Sequence, residues 1–395
     1  MAAVSIEPSI QAIGRTLYAR ALSHQPGLYA GRRRRVLHAV IADPRLRDAL
    51  FQFIDVLPQL RDAHMIATHF RAYLGDFKLG GMFGRMLRLG GQVWMAPLLR
   101  LTVARVARLF MVEEDAAVLA ATLRKLSALP VGVSLDALGE AVVSEAEAEL
   151  YATRILKLLA WLELSATPAP DISVKLSALT PRFDAIDLEG SVERVLARLE
   201  PLCLAAARAG VSLTLDMENH DGRPLVLEVF RHLAERPGIP PGLALQAYRP
   251  DAEADLRALL NLPWTPERPL RVRLVKGAYW DSEVALAAER FWPLPVYDDK
   301  SATDANFERL TASLFKAGAR AYPMIASHNL RSLAHALALA RDLGRPPDSW
   351  EVQMLYGMAD PLAAAVIGEG ARLRIYLPVG DLIGGIAYLI RRLLE

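Results

Sequence analysis

The sequence predicts an α/β protein: a (βα)8 TIM-like barrel over residues 130–395, preceded by an all-helical domain over residues 1–129. Three observations predict it. Up to Leu129 the apolar residues recur at helical spacing throughout. From Pro130 onward, short β-branched runs alternate with longer helical stretches, and eight such pairs fit into roughly 265 residues, as a (βα)8 barrel requires. A doubly wound sheet would use fewer pairs and carry a glycine fingerprint after its first strand, which is missing.

In the first domain, Val40-Ile-Ala-Asp-Pro44 reads as the end of one helix, and Arg45 to Tyr73 as helical with a break near Pro58. Gly80-Gly81-Met-Phe-Gly84 and Gly90-Gly91 read as a flexible connection, because no strand precedes them and no Gly-Lys-Ser/Thr follows. A further run spans Val103 to Val112, and Glu113-Glu114-Asp115 caps a helix reaching Leu126. The eight predicted strands are Val131–Leu135, Ile172–Leu176, Val211–Leu215, Leu243–Gln246, Arg271–Val275, Met324–Ser327, Glu351–Leu355 and Leu373–Tyr376. Helical stretches such as Glu145–Leu162 and Leu188–Ala209 separate them, and a last helix runs from Leu382 to Glu395.

Composition bounds the function classes. With 53% hydrophobic residues a sizeable core is available, and a formal charge of +2 gives no reason to expect nucleic acid as a partner. The basic run Arg32-Arg33-Arg34-Arg35 reads first as a solvated helix face. Cys203, the single cysteine, sits in an apolar helix, so neither a disulfide within one chain nor a cysteine-based metal site is expected. The first residues lack a signal-peptide pattern and no apolar run spans a membrane, so a soluble, cytoplasmic protein with at most a peripheral membrane contact is expected.

In such barrels the chemistry lies at the C-terminal ends of the strands. There the sequence places Asp136 and Glu140, Lys175, Asp216-Met217-Glu218 with His220, Gln246 and Tyr248. The fifth strand leads into Arg273, Val275, Lys276, Gly277, Ala278 and Trp280. The last three offer Ser327-His328-Asn329, Gln353 with Leu355 and Tyr356, and Tyr376. Lys175, Arg273, Lys276, Arg391 and Arg392 outnumber Asp216 and Glu140, which predicts an anionic ligand. Two adjacent guanidiniums can hold a carboxylate bidentately, although a solvated helix end is the plainer reading of Arg391-Arg392 with Glu395. His220 and His328 read as hydrogen-bonded rim residues at least as readily as catalytic ones. No compact ligand set suggests a metal, and no Gly-x-Ser-x-Gly elbow suggests a nucleophilic serine.

Arg271-Val-Arg-Leu-Val-Lys-Gly-Ala-Tyr-Trp-Asp281, Ser173-Val-Lys-Leu-Ser-Ala-Leu179 and the closing Tyr388-Leu-Ile-Arg-Arg-Leu-Leu-Glu395 together resemble the proline dehydrogenase domain of the proline utilisation A flavoenzymes. The helical part resembles the same group through Ala49-Leu-Phe-Gln-Phe-Ile-Asp-Val-Leu-Pro58. The resemblance implies non-covalent FAD, oxidation of L-proline to Δ1-pyrroline-5-carboxylate, and electrons passed to a membrane quinone. It implies catalytic roles for Asp216, Arg273 and Lys175, with Lys175, Arg391 and Arg392 gripping the proline carboxylate. It implies Glu140 as a gate on Arg391, and Tyr376 and Leu355 as walls of the ring site. The cofactor would be lined by Met217, Gln246, Arg273, Val275, Lys276, Gly277, Ala278, Trp280, Ser327, His328, Asn329, Gln353 and Glu395.

Two positions depart from the family pattern: Tyr356 stands where a histidine is common, and Asp298-Asp299-Lys300 replaces a more basic loop. The ribbon-helix-helix segment and aldehyde dehydrogenase half of some relatives have no counterpart here, so the expectation is one catalytic domain trimmed or split from a longer bifunctional enzyme. Two other readings stay open on the residues alone. Lys276 or Lys175 on a barrel strand would also suit a Schiff-base aldolase, and the end at Glu395 would suit a non-catalytic barrel module.

Overall fold

Strand after strand in this chain alternates apolar and polar residues, and that two-residue period builds the architecture. A computed structural model describes residues 6–23, 43–77, 89, 92–139, 141–165, 167–236 and 241–385. Internal contacts group the chain into two units, residues 1–23 with 116–378 and residues 24–115 with 379–395.

A two-residue strand, β1 (Val112–Glu113), is followed by eight longer ones: β2 (Val131–Ala137), β3 (Asp171–Val174), β4 (Ser212–Leu215), β5 (Gly242–Gln246), β6 (Leu270–Val275), β7 (Ala321–Ala326), β8 (Glu351–Leu355) and β9 (Leu373–Gly380). Strands β2 to β9 pair in parallel in chain order, and β9 pairs with both β8 and β2, so the barrel closes. All eight predicted strands are present. The second is shorter than predicted at its C-terminal end because Leu176–Ala178 tightens into a 3-10 turn. Strand β1 pairs with the end of β9, Val112 opposite Val379; two residues are too few to show a period in the sequence.

Among the helices, α1 (Glu7–Ser23), α2 (Pro44–Val56), α3 (Ala63–Leu74) and α4 (Ala96–Ala107) come first. The rest are α5 (Ala116–Ser127), α6 (Glu145–Glu163), α7 (Leu188–Arg208), α8 (Arg223–Ala234), α9 (Ala252–Leu260), α10 (Trp280–Arg290), α11 (Lys300–Lys316), α12 (Leu330–Asp342) and α13 (Asp360–Gly368). Pro44 opens α2, and the helix expected to end there falls on residues outside those described. The Asp43 carboxylate accepts from the backbone N–H of Arg45 and Leu46, and proline at the first helical position loses no hydrogen bond. Asp62 caps α3 in the same way, accepting from Met65 N–H at 2.8 Å. Phe53 of α2 meets Phe70 of α3 edge to face, with ring centroids 5.1 Å apart.

The apolar parity of the barrel strands, including Val133, Leu135, Ile172, Val174, Leu213, Leu215, Leu243, Leu245, Val272 and Leu274, is buried. The helices cover this face, as the parallel-sheet rule requires. Helix α1 packs on α12 and α13 with Ile10, Ile13 and Leu17 buried. Ion pairs flank that contact, Arg331 to Glu7 at 2.9 Å and Arg20 to Glu369 at 3.2 Å. Among the described residues no helix is long and apolar enough to cross a membrane.

Candidate active site

The polar parity of the same strands points into the barrel. Ser134 and Asp136 on β2, Asp171 and Ser173 on β3, Thr214 on β4, Arg273 on β6, Glu351 and Gln353 on β8 and Arg374 on β9 are all buried. Lys175 and Asp216 follow the last residues of β3 and β4 at the same parity. Barrels of this kind ordinarily fill the interior with branched apolar side chains. A polar column is stable only if its members bond one another, and these do.

Arg273 reaches across the interior from β6, and each of its five N–H groups has a partner. Nε donates to Gln353 Oε1 at 2.8 Å, Nη1 to Ser173 Oγ at 2.6 Å and Asp216 Oδ1 at 2.9 Å. Nη2 donates to Ser134 Oγ and to Asp171 Oδ2, both at 3.2 Å. Burial opposes the charge, but Asp216, Tyr376 and Asp171 outweigh it and hold the guanidinium above the ordinary arginine value. Its centre lies 4.9 Å from the centroid of the Tyr376 ring. The Tyr376 hydroxyl donates to Asp216 Oδ2 at 3.4 Å.

Lys175 sits beside this cluster. Nζ lies 2.6 Å from Asp136 Oδ1 and 3.3 Å from Asp216 Oδ2, and its backbone N–H donates to the Tyr151 hydroxyl at 3.0 Å. Asp216 therefore bridges the ammonium and the guanidinium. Two buried cations here meet three carboxylates, Asp136, Asp171 and Asp216. Around Lys175 and Arg273 the carboxylates are in excess because Asp136 and Asp171 join Asp216; Arg391, Arg392 and Glu140, which entered the expected charge count, lie outside the described residues. Lys276 is likewise paired, with Asp304 of α11.

The surrounding loops present a consistent set of groups. His328 is neutral, because burial pushes its pKa down to about 4. Its Nε2 accepts from Leu355 N–H at 3.1 Å, so the ring proton lies on Nδ1. Gln246 donates both amide hydrogens to backbone carbonyls, of Met217 at 3.2 Å and Glu218 at 2.9 Å, which leaves its oxygen as an acceptor. Asn329 Oδ1 caps α12, accepting from Ser332 N–H at 3.0 Å, and Ser327 Oγ accepts from Asn329 N–H at 3.0 Å. Gly277 adopts φ +133°, and a Cβ there would lie 2.4 Å from the Tyr248 ring, so only glycine fits. Backbone bonds from Ala247 N–H to Val275 O (2.8 Å) and Tyr248 N–H to Lys276 O (2.7 Å) hold this turn, and Ala278 follows it. Trp280 donates from Nε1 to Tyr297 O at 2.8 Å.

At the two departures from the family pattern, Tyr356 N–H donates to Tyr376 O at 2.9 Å, and Asp299 accepts from the Ser301 hydroxyl at the start of α11. Glu140, Arg391, Arg392 and Glu395 lie outside the described residues. His220 accepts at Nδ1 from Arg249 at 2.9 Å, which makes it a structural rim residue. Among the described residues no group of histidine, cysteine and carboxylate side chains could hold a metal ion.

The sequence reading missed Ser134, Asp136, Asp171, Ser173, Tyr151 and Asp304 as partners. The first four were within reach: they share the parity of Lys175 and Asp216 on their strands. Tyr151 and Asp304 lie on helices and carry no comparable signal.

The family model described as proline dehydrogenase matches residues 119–395. The chain belongs to the proline dehydrogenase family. A second model, the proline utilization A N-terminal domain, matches residues 7–110. The bifunctional protein PutA of Klebsiella aerogenes is 32% identical over 353 residues, covering 84% of this chain and 26% of that protein. The proline dehydrogenase of Deinococcus radiodurans is 32% identical over 265 residues, covering 66% of this chain and 77% of its own. The structure of PutA from Bdellovibrio bacteriovorus inactivated by N-propargylglycine aligns at a TM-score of 0.86 and 31% identity, over 99% of this chain and 42% of that one. The chain thus spans about a quarter of the length of the bifunctional relative. Proline dehydrogenases are a flavin-dependent family.

Proposed function

We propose that this chain is an FAD-dependent L-proline dehydrogenase that oxidises L-proline to Δ1-pyrroline-5-carboxylate and passes the electrons to a quinone. The observation that carries the reading is the buried Lys175–Asp216–Arg273 chain walled by Tyr376 at the C-terminal end of the barrel.

The residues present fit a flavin. Arg273 presents a buried cation, Gln246 an acceptor oxygen, and His328 a donor at Nδ1. Met217, Val275, Lys276, Gly277, Ala278, Trp280, Ser327, Asn329, Gln353 and Glu395 complete the set we assign to the cofactor. When bound, the flavin supplies the acceptor for the hydride leaving the ring carbon beside the proline nitrogen. The protein's task is then mainly positioning. Lys175, with Arg391 and Arg392, holds the proline carboxylate, and Glu140 closes over it through Arg391. Tyr376 and Leu355 wall the pyrrolidine ring. Asp216 orders the site by holding Lys175, Arg273 and Tyr376 at once.

An absorbance spectrum before and after anaerobic L-proline tests this. A yellow protein bleached by proline is expected; a colourless protein that ignores added FAD defeats it. Replacing Arg392 with Met is expected to raise the proline KM by an amount worth roughly 2–5 kcal/mol, and an unchanged KM removes that residue from the substrate site. Borohydride trapping of a carbonyl substrate would favour the aldolase reading instead.

A further inference from the structure

We infer that Asp171 is a positioning residue for Arg273, a second carboxylate that fixes the guanidinium from within the barrel and sets how much positive charge a bound flavin meets. The inference rests on the flavin reading above and deepens it.

Asp171 is the first residue of β3 and is fully buried. Its Oδ2 accepts from Ser134 Oγ at 2.6 Å and from Arg273 Nη2 at 3.2 Å, and its Oδ1 accepts from Thr214 Oγ1 at 2.9 Å. Three strands thus supply donors to one carboxylate. Folding alone gives little reason for it. Arg273 already has Asp216 at 2.9 Å, and a further buried carboxylate carries a desolvation penalty of several kcal/mol.

What Asp171 adds is direction and charge. Asp216 and Ser173 bind Nη1, Gln353 binds Nε, and only Asp171 and Ser134 bind Nη2. Since Ser134 also donates to Asp171, the carboxylate both accepts from Nη2 and orients its other partner. A flavin gains negative charge on reduction, so a nearby guanidinium favours the reduced form and a carboxylate behind it opposes that preference.

The test compares wild type with Asp171→Asn and Asp171→Ser. In the flavin-loaded proteins the midpoint potential is measured by anaerobic titration. Both variants should raise the reduced-to-oxidised ratio at the wild-type midpoint about tenfold, a shift of roughly 30 mV to more positive values. An unchanged potential overturns the inference. In the flavin-free proteins, the 15N–1H signals of the Arg273 guanidinium should be slow to exchange in wild type, with the Nη2 pair lost in Asp171→Ser. Persistence of that pair in Asp171→Ser also overturns it. A wild-type protein that takes up no flavin sinks the functional reading instead, and the arginine signals then decide the role of Asp171 alone.

Discussion

Arg374 and Arg273 lie in one barrel interior, the first toward the N-terminal end and the second toward the C-terminal end, and they are neutralised in different ways. Arg374 is matched by a single carboxylate: Nε and Nη2 donate to the two oxygens of Glu351 at 2.6 and 2.9 Å. Its Nη1 donates to the backbone carbonyl of Val133 at 3.2 Å, and to that of Ala169. Such a fork-to-fork pair closes one end of the barrel and uses up its own charge. Arg273 instead takes one contact from each of two carboxylates, and one of these, Asp216, is shared with Lys175. The first arrangement is saturated, while the second leaves its central carboxylate partly open, with the Asp216 side chain 14% exposed. On the proposed function, stability and reactivity fall at opposite ends of the same column.

Gln353 joins the two ends, accepting from Arg273 Nε at 2.8 Å and donating to Glu351 at 2.7 Å.

The sharpest way to break this contrast is Arg374→Met. It should cost about 3–5 kcal/mol in urea unfolding, because Glu351 is left buried and unpaired. The kcat/KM for proline of the folded enzyme should stay within about threefold, as expected for a site whose geometry is preserved. A large loss of kcat/KM would mean that the two ends are not separable.

Acid titration separates the ends by pH window. His328, near the open end, is held down to about 4, below its ordinary 6.5. The unfolded chain therefore takes up that proton first, so stability falls as pH drops from about 6.5 to about 4, by on the order of 2–3 kcal/mol. For Glu351 burial raises the pKa, and Arg374 more than offsets it to leave it lowered from 4.5; its stabilisation is lost only as pH falls below that value. The difference in stability between wild type and His328→Gln should thus shrink below pH 6.5. A difference that does not change across pH 7 to 4 would remove His328 from this account.

Lys175→Met addresses the open end directly. A drop in kcat/KM worth roughly 2–3 kcal/mol is expected, the scale of a hydrogen bond to a charged group. If only stability falls, Lys175 is a structural partner of Asp136 and not a substrate ligand. The smallest effect should come from Gly277→Ala. The strained φ and the Tyr248 ring should cost roughly 1–3 kcal/mol, read as weaker flavin uptake. Unaltered uptake would separate that turn from the cofactor.

Much of this was legible in the sequence. The eight strands and most helices followed from periodicity, since a barrel repeats one simple pattern eight times. Lys175, Asp216, Arg273 and Tyr376 stood at strand ends and were expected to meet, as they do. Asp171 was not read as a counter-charge, because it begins its strand, away from the rim where chemistry was sought, and Asp136 was placed at the rim but not counted against Lys175. Asp304 reaches Lys276 from a helix, a pairing that no local pattern encodes. The start of α2 at Pro44 follows from the capping Asp43 before it, a signal that lies in the sequence.

Helix α1 has a consequence for how the protein is made. Its apolar stripe, Ile10, Ile13 and Leu17, is buried and the helix packs on α12 and α13, which begin at Leu330 and Asp360. A ribosome adding about 5–20 residues per second would take roughly 15–60 s to reach them. For that interval α1 lacks both of these partners, and its apolar stripe is a natural foothold for a chaperone.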